Sequence, residues 1–215
     1  MADKDAEMNA RHSAHSHHSN RADGDGSPAS GAHGNSGIGA APGSDGIVEK
    51  QLAPMEGEVP GVVITVSDRC AAGTRLDKSG PRAVEALAAH GVVCPEPVVV
   101  TDDVPEIRAA IETALNGGAR LVFTTGGTGV TPRDNTTEPL VATRLPGLET
   151  QILNHGLTKT PLAGLSRGIV GVTGRGEDAA VIVNAPGSSG GVRDAIEVIG
   201  PLMPHLLEQL GGGDH

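Results

Sequence analysis

The run Ala119-Arg-Leu-Val-Phe-Thr-Thr-Gly-Gly-Thr-Gly-Val-Thr-Pro-Arg-Asp-Asn-Thr-Thr-Glu138 joins a strand-like segment to a glycine loop and then to a pair of opposite charges. Leu121 to Thr125 is a short β-branched and aromatic stretch of the kind that fills a buried strand. Gly126, Gly127 and Gly129 end it abruptly, and glycines let a backbone approach a ligand closely. Thr128 adds a hydroxyl among the exposed amides, which suits a phosphate nest. Arg133 can fork onto phosphate oxygens, Asp134 is a carboxylate suited to Mg²⁺, and Glu138 lies in the same loop. Thr136 or Thr137 reads as the N-cap of a helix running through Pro139 and Leu140. A bare strand-to-helix turn also needs glycine, but it does not need these charges. The loop is neither a Walker A motif, since no Gly-Lys-Ser/Thr follows, nor the Gly-x-Gly-x-x-Gly dinucleotide fingerprint.

Upstream, Gly61 to Val66 is a buried strand ending in Ser67-Asp68-Arg69. In an open α/β sheet, ligands sit outside the carboxyl ends of the strands, so these polar residues are well placed. Asp77 to Gly80 precede a helix with Ser79 as its N-cap, Pro81 in its first turn and Gly91 as its stop. Pro95 and Pro97 confine the second strand to residues 97–101. Asp103 can cap the helix that begins near Val104, which leaves Asp102 without a local task. For either aspartate, capping and function are equal readings of the residues alone.

Downstream, Leu140 to Leu145 continues the helix after the glycine loop, Pro146 breaks it, and Leu148 to Leu157 forms another. Leu162 to Arg167 is a short helical piece. Ile169 to Gly174 and Ala180 to Asn184 are strands joined by so short a connector that they form an antiparallel hairpin. Which one is reversed stays open; a role for Asn184 to Gly187 in the site would make it residues 169–174. Ser188 to Leu210 closes the chain as a helix interrupted by Pro201 and Pro204. This alternation gives a three-layer α/β/α fold over residues 58–211, with a mostly parallel five-stranded sheet containing one antiparallel strand.

Residues 1–57 of the 215 are rich in Gly, Ser, Ala, Asp and His, and residues 212–215 form a short C-terminal tail. The long segment cannot bury enough apolar surface to offset its ordering entropy and is expected to be disordered. His12, His15, His17 and His18 could bind a transition metal loosely, but the favoured reading is a solvated tail. Phe123 is the only aromatic residue, which argues against stacking on single-stranded nucleic acid. A formal net charge of -10 disfavours DNA and anionic membranes. Two cysteines, Cys70 and Cys94, exclude a disulfide scaffold and fit a reducing compartment. With no apolar run near the ~20 residues of a membrane span, the expected location is the cytoplasm.

Thr124-Thr-Gly-Gly-Thr-Gly129 with Pro132-Arg-Asp134 resembles the signature of the molybdopterin adenylyltransferase family, the MogA/MoaB type. The likeness extends over roughly residues 60–210 through Ser67-Asp-Arg69, Asp77-Lys-Ser-Gly80, Leu165-Ser-Arg167 and Asn184-Ala-Pro-Gly187. It implies Mg²⁺-dependent adenylyl transfer from ATP to the terminal phosphate of molybdopterin, with release of pyrophosphate. It also implies that Asp102 and Asp134 are catalytic and place Mg²⁺. Binding of pterin and phosphates would fall to Ser67, Asp68, Ser79, Gly126 to Gly129, Arg133, Glu138, Ser166, Arg167, Pro186, Gly187 and Ser188. Relatives imply a homotrimer or hexamer and a downstream molybdenum-insertion protein as partner. One departure stands out: many relatives read Pro-Gly-x-Pro-Lys where this chain reads Pro186-Gly-Ser-Ser-Gly190, and Arg193 is the nearest replacement for the lysine. Two competing readings are a nucleotide pyrophosphatase of the competence-damage type on the same fold, and a non-catalytic molybdopterin carrier or scaffold.

Overall fold

The computed structural model of the chain describes residues 57–132, 134 and 140–213. In chain order the elements are β1 (Val59–Val66), α1 (Asp68–Ala71), α2 (Ser79–Ala88), β2 (Val92–Val93), β3 (Val98–Val100), α3 (Val104–Asn116), β4 (Leu121–Thr125), β5 (Thr143–Arg144), α4 (Pro146–Leu157), β6 (Ile169–Val172), β7 (Val181–Ala185), α5 (Ser189–Ile199) and α6 (Met203–Leu210). Short 3₁₀ turns at Pro161–Leu165 and Gly200–Leu202 precede β6 and α6. The helix start expected at Thr136 or Thr137, the long N-terminal segment, and Arg133 and Glu138 all lie outside the described residues.

The strands form one seven-stranded sheet in the order β2-β1-β4-β7-β6-β5, with β3 also paired to β1. Pairs β1–β4 and β4–β7 are parallel, whereas β6 runs antiparallel to both β7 and β5. The reversed member of the hairpin is therefore the one at Ile169–Val172. This leaves β7 aimed at the same rim as β1 and β4, with Thr65, Thr125 and Ala185 in register across the three strands.

Alternation along the central strands builds two cores. Val63, Leu121, Phe123 and Val183 face α2, α5 and α6, while Ile64, Val122 and Ile182 face α3. Every residue of β4 and β7 is buried, as expected of strands covered on both faces. The layers are therefore α/β/α, as the alternation of elements implies.

Two short strands exceed the expected five. Pro95 and Pro97 split the edge beside β1 into two pieces, β2 along its start and β3 along its end. Residues 140–145, expected as helix, instead supply β5. Thr143 and Arg144 pair with Val172 and Gly171, flanked by bonds from Ala142 N to Val172 O at 2.9 Å and from Leu145 N to Val170 O at 2.8 Å. Gly171 permits this crossing, because a Cβ there would strike Val141 and lie 2.7 Å from the Thr143 carbonyl oxygen. Pro146 opens α4 rather than breaking a helix, since a first-turn proline gives up only an N–H that has no partner in the helix. Likewise Pro201 and Pro204 sit in the first turns of the last two helical segments, so the closing helix divides where expected. Among the described residues, no helix is long and apolar enough to cross a membrane.

Candidate functional site

At the carboxyl end of β1, Ser67 caps α1 by accepting from the Cys70 N–H at 3.3 Å. The next residue, Asp68, forms a reciprocal clasp with Asp102, beyond β3. The Asp68 N–H donates to Asp102 Oδ2 at 2.9 Å, and the Asp102 N–H donates to Asp68 Oδ1 at 3.0 Å. Each carboxylate is thus fixed by the backbone of the other residue, 34 positions away in sequence. Asp102, which the sequence left without a local task, has one. Asp103 occupies the N-cap position of α3, but the bonds closing that turn come from Thr101 N and Oγ1 to Glu106.

Beside the clasp, α2 is capped by Asp77 rather than by Ser79. The Asp77 carboxylate accepts from the N–H groups of Ser79 and Gly80 and from the hydroxyls of Ser79 and Thr65, at 2.7–3.1 Å. Burial opposes ionisation of Asp77, yet these hydrogen bonds outweigh it and hold the carboxyl below its ordinary value. Ser79 is the first residue of the helix, and its hydroxyl donates to Asp77.

The glycine loop follows β4. Gly126 and Gly127 have φ of +109° and +64°, the left-handed region that favours glycine. Gly129 leaves room for the Asp134 carboxylate, whose Oδ2 lies 2.6 Å from where a Cβ would be. That oxygen accepts from the Thr131 N–H at 2.8 Å and from the Thr131 hydroxyl at 2.5 Å. The hydroxyl bond is the largest of several influences that keep the Asp134 carboxyl below its ordinary value, and the nearby Arg167 charge is another.

Arg167 grips the same loop by its backbone. Its N–H donates to the Thr128 carbonyl at 2.9 Å, Nε to the Gly129 carbonyl at 2.6 Å and Nη2 to the Asp134 carbonyl at 2.8 Å. A residue expected to meet an anion thus acts first as a staple on the loop that would hold one. Arg167→Ala should weaken ligand binding about tenfold while changing the melting temperature by only a few degrees. Arg167→Lys should rescue little, because an ammonium cannot reproduce the fork. Calorimetry on both variants checks this, and wild-type affinity in the lysine variant would show that charge alone suffices.

At the end of β7, Asn184 Nδ2 donates to Thr124 Oγ1 at 2.8 Å and to the Gly126 carbonyl at 3.1 Å. These acceptors fix the amide's orientation and leave Oδ1 as the one buried side-chain polar atom among the described residues without a hydrogen-bond partner. Asn184 was legible through its motif, with its role in the site left open. Ser188 then caps α5 by accepting from the Gly191 N–H at 3.1 Å.

Asn184 lies on the wall of a cavity of about 950 Å³, within the range of small-molecule sites. Thr128, Gly129, Ser166, Arg167, Pro186 and Ser188 also line it, together with α4 and the start of α5. Ser67, Asp68, Ser79 and Asp102 belong to the other half of the rim. Gly126 lies where the β4 and β7 ends meet, its Cα 3.2 Å from a Cβ position on Gly187. Ser166 accepts from the Gly168 N–H at 3.2 Å and shapes the turn into β6. Burial pushes the thiol of Cys94 up to about 11. Both cysteines are unpaired.

A cavity that reaches the glycine loop, at the carboxyl rim of a mostly parallel sheet, marks an α/β protein with its candidate site where ligands sit in open α/β sheets. The chain belongs to the family described as "Probable molybdopterin binding domain", which matches residues 62–205. It is 37% identical over 152 residues to the molybdopterin adenylyltransferase of Pyrococcus furiosus, covering 68% of this chain and 88% of that protein. It is 38% identical over 156 residues to a molybdenum cofactor biosynthesis bifunctional protein of Chlorobaculum tepidum, covering 71% of this chain and 49% of that protein. The chain thus spans about half the length of that bifunctional relative. A solved molybdopterin biosynthesis protein from Mycobacterium abscessus superposes with a TM-score of 0.65 at 40% identity, over 72% of this chain and 97% of that one.

Proposed function

We propose that the chain acts in molybdenum cofactor biosynthesis by transferring an adenylyl group from ATP to molybdopterin. The terminal phosphate oxygen of the pterin would attack the α-phosphorus of ATP as the bond to pyrophosphate breaks. The observation that carries this reading is the buried, unpartnered Oδ1 of Asn184, a residue that lines the cavity. A buried acceptor left unpaired costs about 1–3 kcal/mol, and an N–H-rich heterocycle such as a pterin would supply the missing donor. The pterin phosphate would then extend from the cavity toward the glycine loop, and the nucleotide toward the clasp of Asp68 and Asp102.

The carboxylates fit Mg²⁺ in their chemistry: hard oxygen donors, with Asp134 held ionised beside the loop. Asp102 and Asp134 would hold the ion, which when bound neutralises phosphate charge. The chain's own groups do the remaining work. Arg167 keeps the loop in one shape, and the backbone around Gly126 to Gly129 presents amides to the phosphates. Arg193, lining the cavity one turn into α5, would replace the lysine present in many relatives.

Incubation with molybdopterin, ATP and Mg²⁺, followed by mass analysis, should yield adenylylated pterin and pyrophosphate in equal amounts. ATP cleavage without adenylylated pterin would favour a pyrophosphatase. Tight pterin binding with intact ATP would favour a carrier.

A further inference from the structure

Away from the carboxylate clasp, α4 and α5 meet through four charged or titratable side chains. His155 lies near the end of α4 and Lys159 just beyond it, while Asp194 and Glu197 sit one turn apart on the facing side of α5. Lys159 Nζ is 2.5 Å from Asp194 Oδ1, 2.9 Å from His155 Nε2 and 3.4 Å from Glu197 Oε2. His155 Nε2 is in turn 2.8 Å from Glu197 Oε2 and 3.7 Å from Asp194 Oδ1. The other Glu197 oxygen, Oε1, lies 3.6 Å from Arg193 Nε. Asp194 is only 7% exposed, so its carboxylate requires a positive partner.

The ammonium is an imperfect one. A ring nitrogen offers either one proton or one lone pair. Glu197 can only accept from His155 Nε2, and Lys159 can only donate to it, so each protonation state of the ring leaves one of these two close contacts unmade. A metal ion in place of the ammonium would take the lone pair and both carboxylates at once. The three donor atoms all lie within 4.8 Å of one another. Ligands of a tetrahedral zinc ion, each ~2.0–2.1 Å from the metal, are separated by ~3.3 Å, and the separations of 2.8 and 3.7 Å from His155 Nε2 to the two carboxylates fall either side of that value.

We infer that His155, Asp194 and Glu197 form a site for a divalent transition-metal ion of the zinc class, whose place the Lys159 ammonium occupies here. One imidazole with two carboxylates is a borderline donor set that favours zinc over magnesium or calcium. The site is separate from Asp102 and Asp134. Bound there, the ion ties α4 to α5 along the cavity wall, to which Lys159 and Asp194 both contribute. Lys159 is the competitor: its hydrogen bond to Asp194, first among several influences, holds it protonated. At 38% side-chain exposure it has a route outward.

Zn²⁺ titration of the full chain by calorimetry, with Co²⁺ absorption as a reporter of geometry, tests the site without pterin or ATP. The histidines of the N-terminal segment are unchanged in every variant and contribute the same background. Lys159→Gln removes the competitor and should tighten one binding event by roughly tenfold or more. His155→Gln should remove that event and the tetrahedral Co²⁺ band with it. Identical stoichiometry and affinity in wild type and both variants would overturn the assignment, as would weaker binding in Lys159→Gln. Loss of adenylyl transfer would bear on neither result, so the two proposals fail separately.

Discussion

An Asp134→Asn variant should lose adenylyl transfer by about 10²–10³-fold, the range seen when one preorganised charge-stabilising group is removed, while melting close to wild type. Asparagine keeps the shape of the side chain and an oxygen to accept the Thr131 N–H, which the aspartate meets at 2.8 Å. What it loses is the negative charge. That charge is present throughout the neutral range, as for any ordinary carboxyl, and hydrogen bonding from Thr131 extends it to lower pH by holding the group below its ordinary value of 3.8. Removing divalent cations with a chelator should produce a comparable loss in the wild type. Thr131→Ala provides the contrast. It deletes the hydroxyl that donates at 2.5 Å but leaves the carboxylate in place. Its folded-state pKa should rise toward the ordinary value, so the acid limb of the pH–rate profile moves upward while neutral activity changes little. The readout is pyrophosphate release with mass analysis of the pterin. Full activity in Asp134→Asn would mean that the carboxylate only closes the turn with Thr131.

The parts of this site that local sequence pattern specifies were legible in advance. Strand β4, its glycine stop and the breaks at Pro201 and Pro204 each depend on residues a few positions apart. What escaped depends on distant partners. β5 exists because Thr143 and Arg144 find β6 across the sheet, and the apolar spacing of residues 140–145 reads equally well as helix. The Asp68–Asp102 clasp joins the start of α1 to the turn after β3, two segments that carry no common pattern. Arg167 is a cation in a motif, and the motif alone does not tell phosphate oxygens from the carbonyls of Gly129 and Asp134. The capping of α2 was displaced by two residues because Asp77 reaches over Lys78 to the amides of Ser79 and Gly80. His155 carries no motif of its own, and its partners on α5 lie about forty positions away.

Replacing Gly126 with alanine should destabilise the domain more than any other single-methyl change in the loop, by about 3–4 kcal/mol from backbone strain and overpacking together. The strain arises because φ is +109°, where an L-residue is disfavoured. The overpacking arises because the added Cβ would collide with the Val66 carbonyl at the end of β1. The loop cannot retreat, since the Gly126 N–H donates to the Ala185 carbonyl at 3.0 Å and its own carbonyl accepts from Asn184 at 3.1 Å. Relief on the β1 side would break the contacts that orient Asn184 on the β7 side, so stability and ligand affinity should fall together. Gly127→Ala is the internal control. Its φ of +64° is a left-handed angle that alanine can adopt at a cost of roughly 1–2 kcal/mol. If the amides of this loop meet phosphate, the Gly127 variant should fold with modest loss yet bind its ligand far less tightly. Thermal melting beside calorimetry with pterin separates these effects, with a fall on the order of 10 °C expected for Gly126→Ala. Equal, small losses in both variants would show that the β1 and β7 ends yield to the methyl group, and the rigid placement of the loop between them would have to be abandoned.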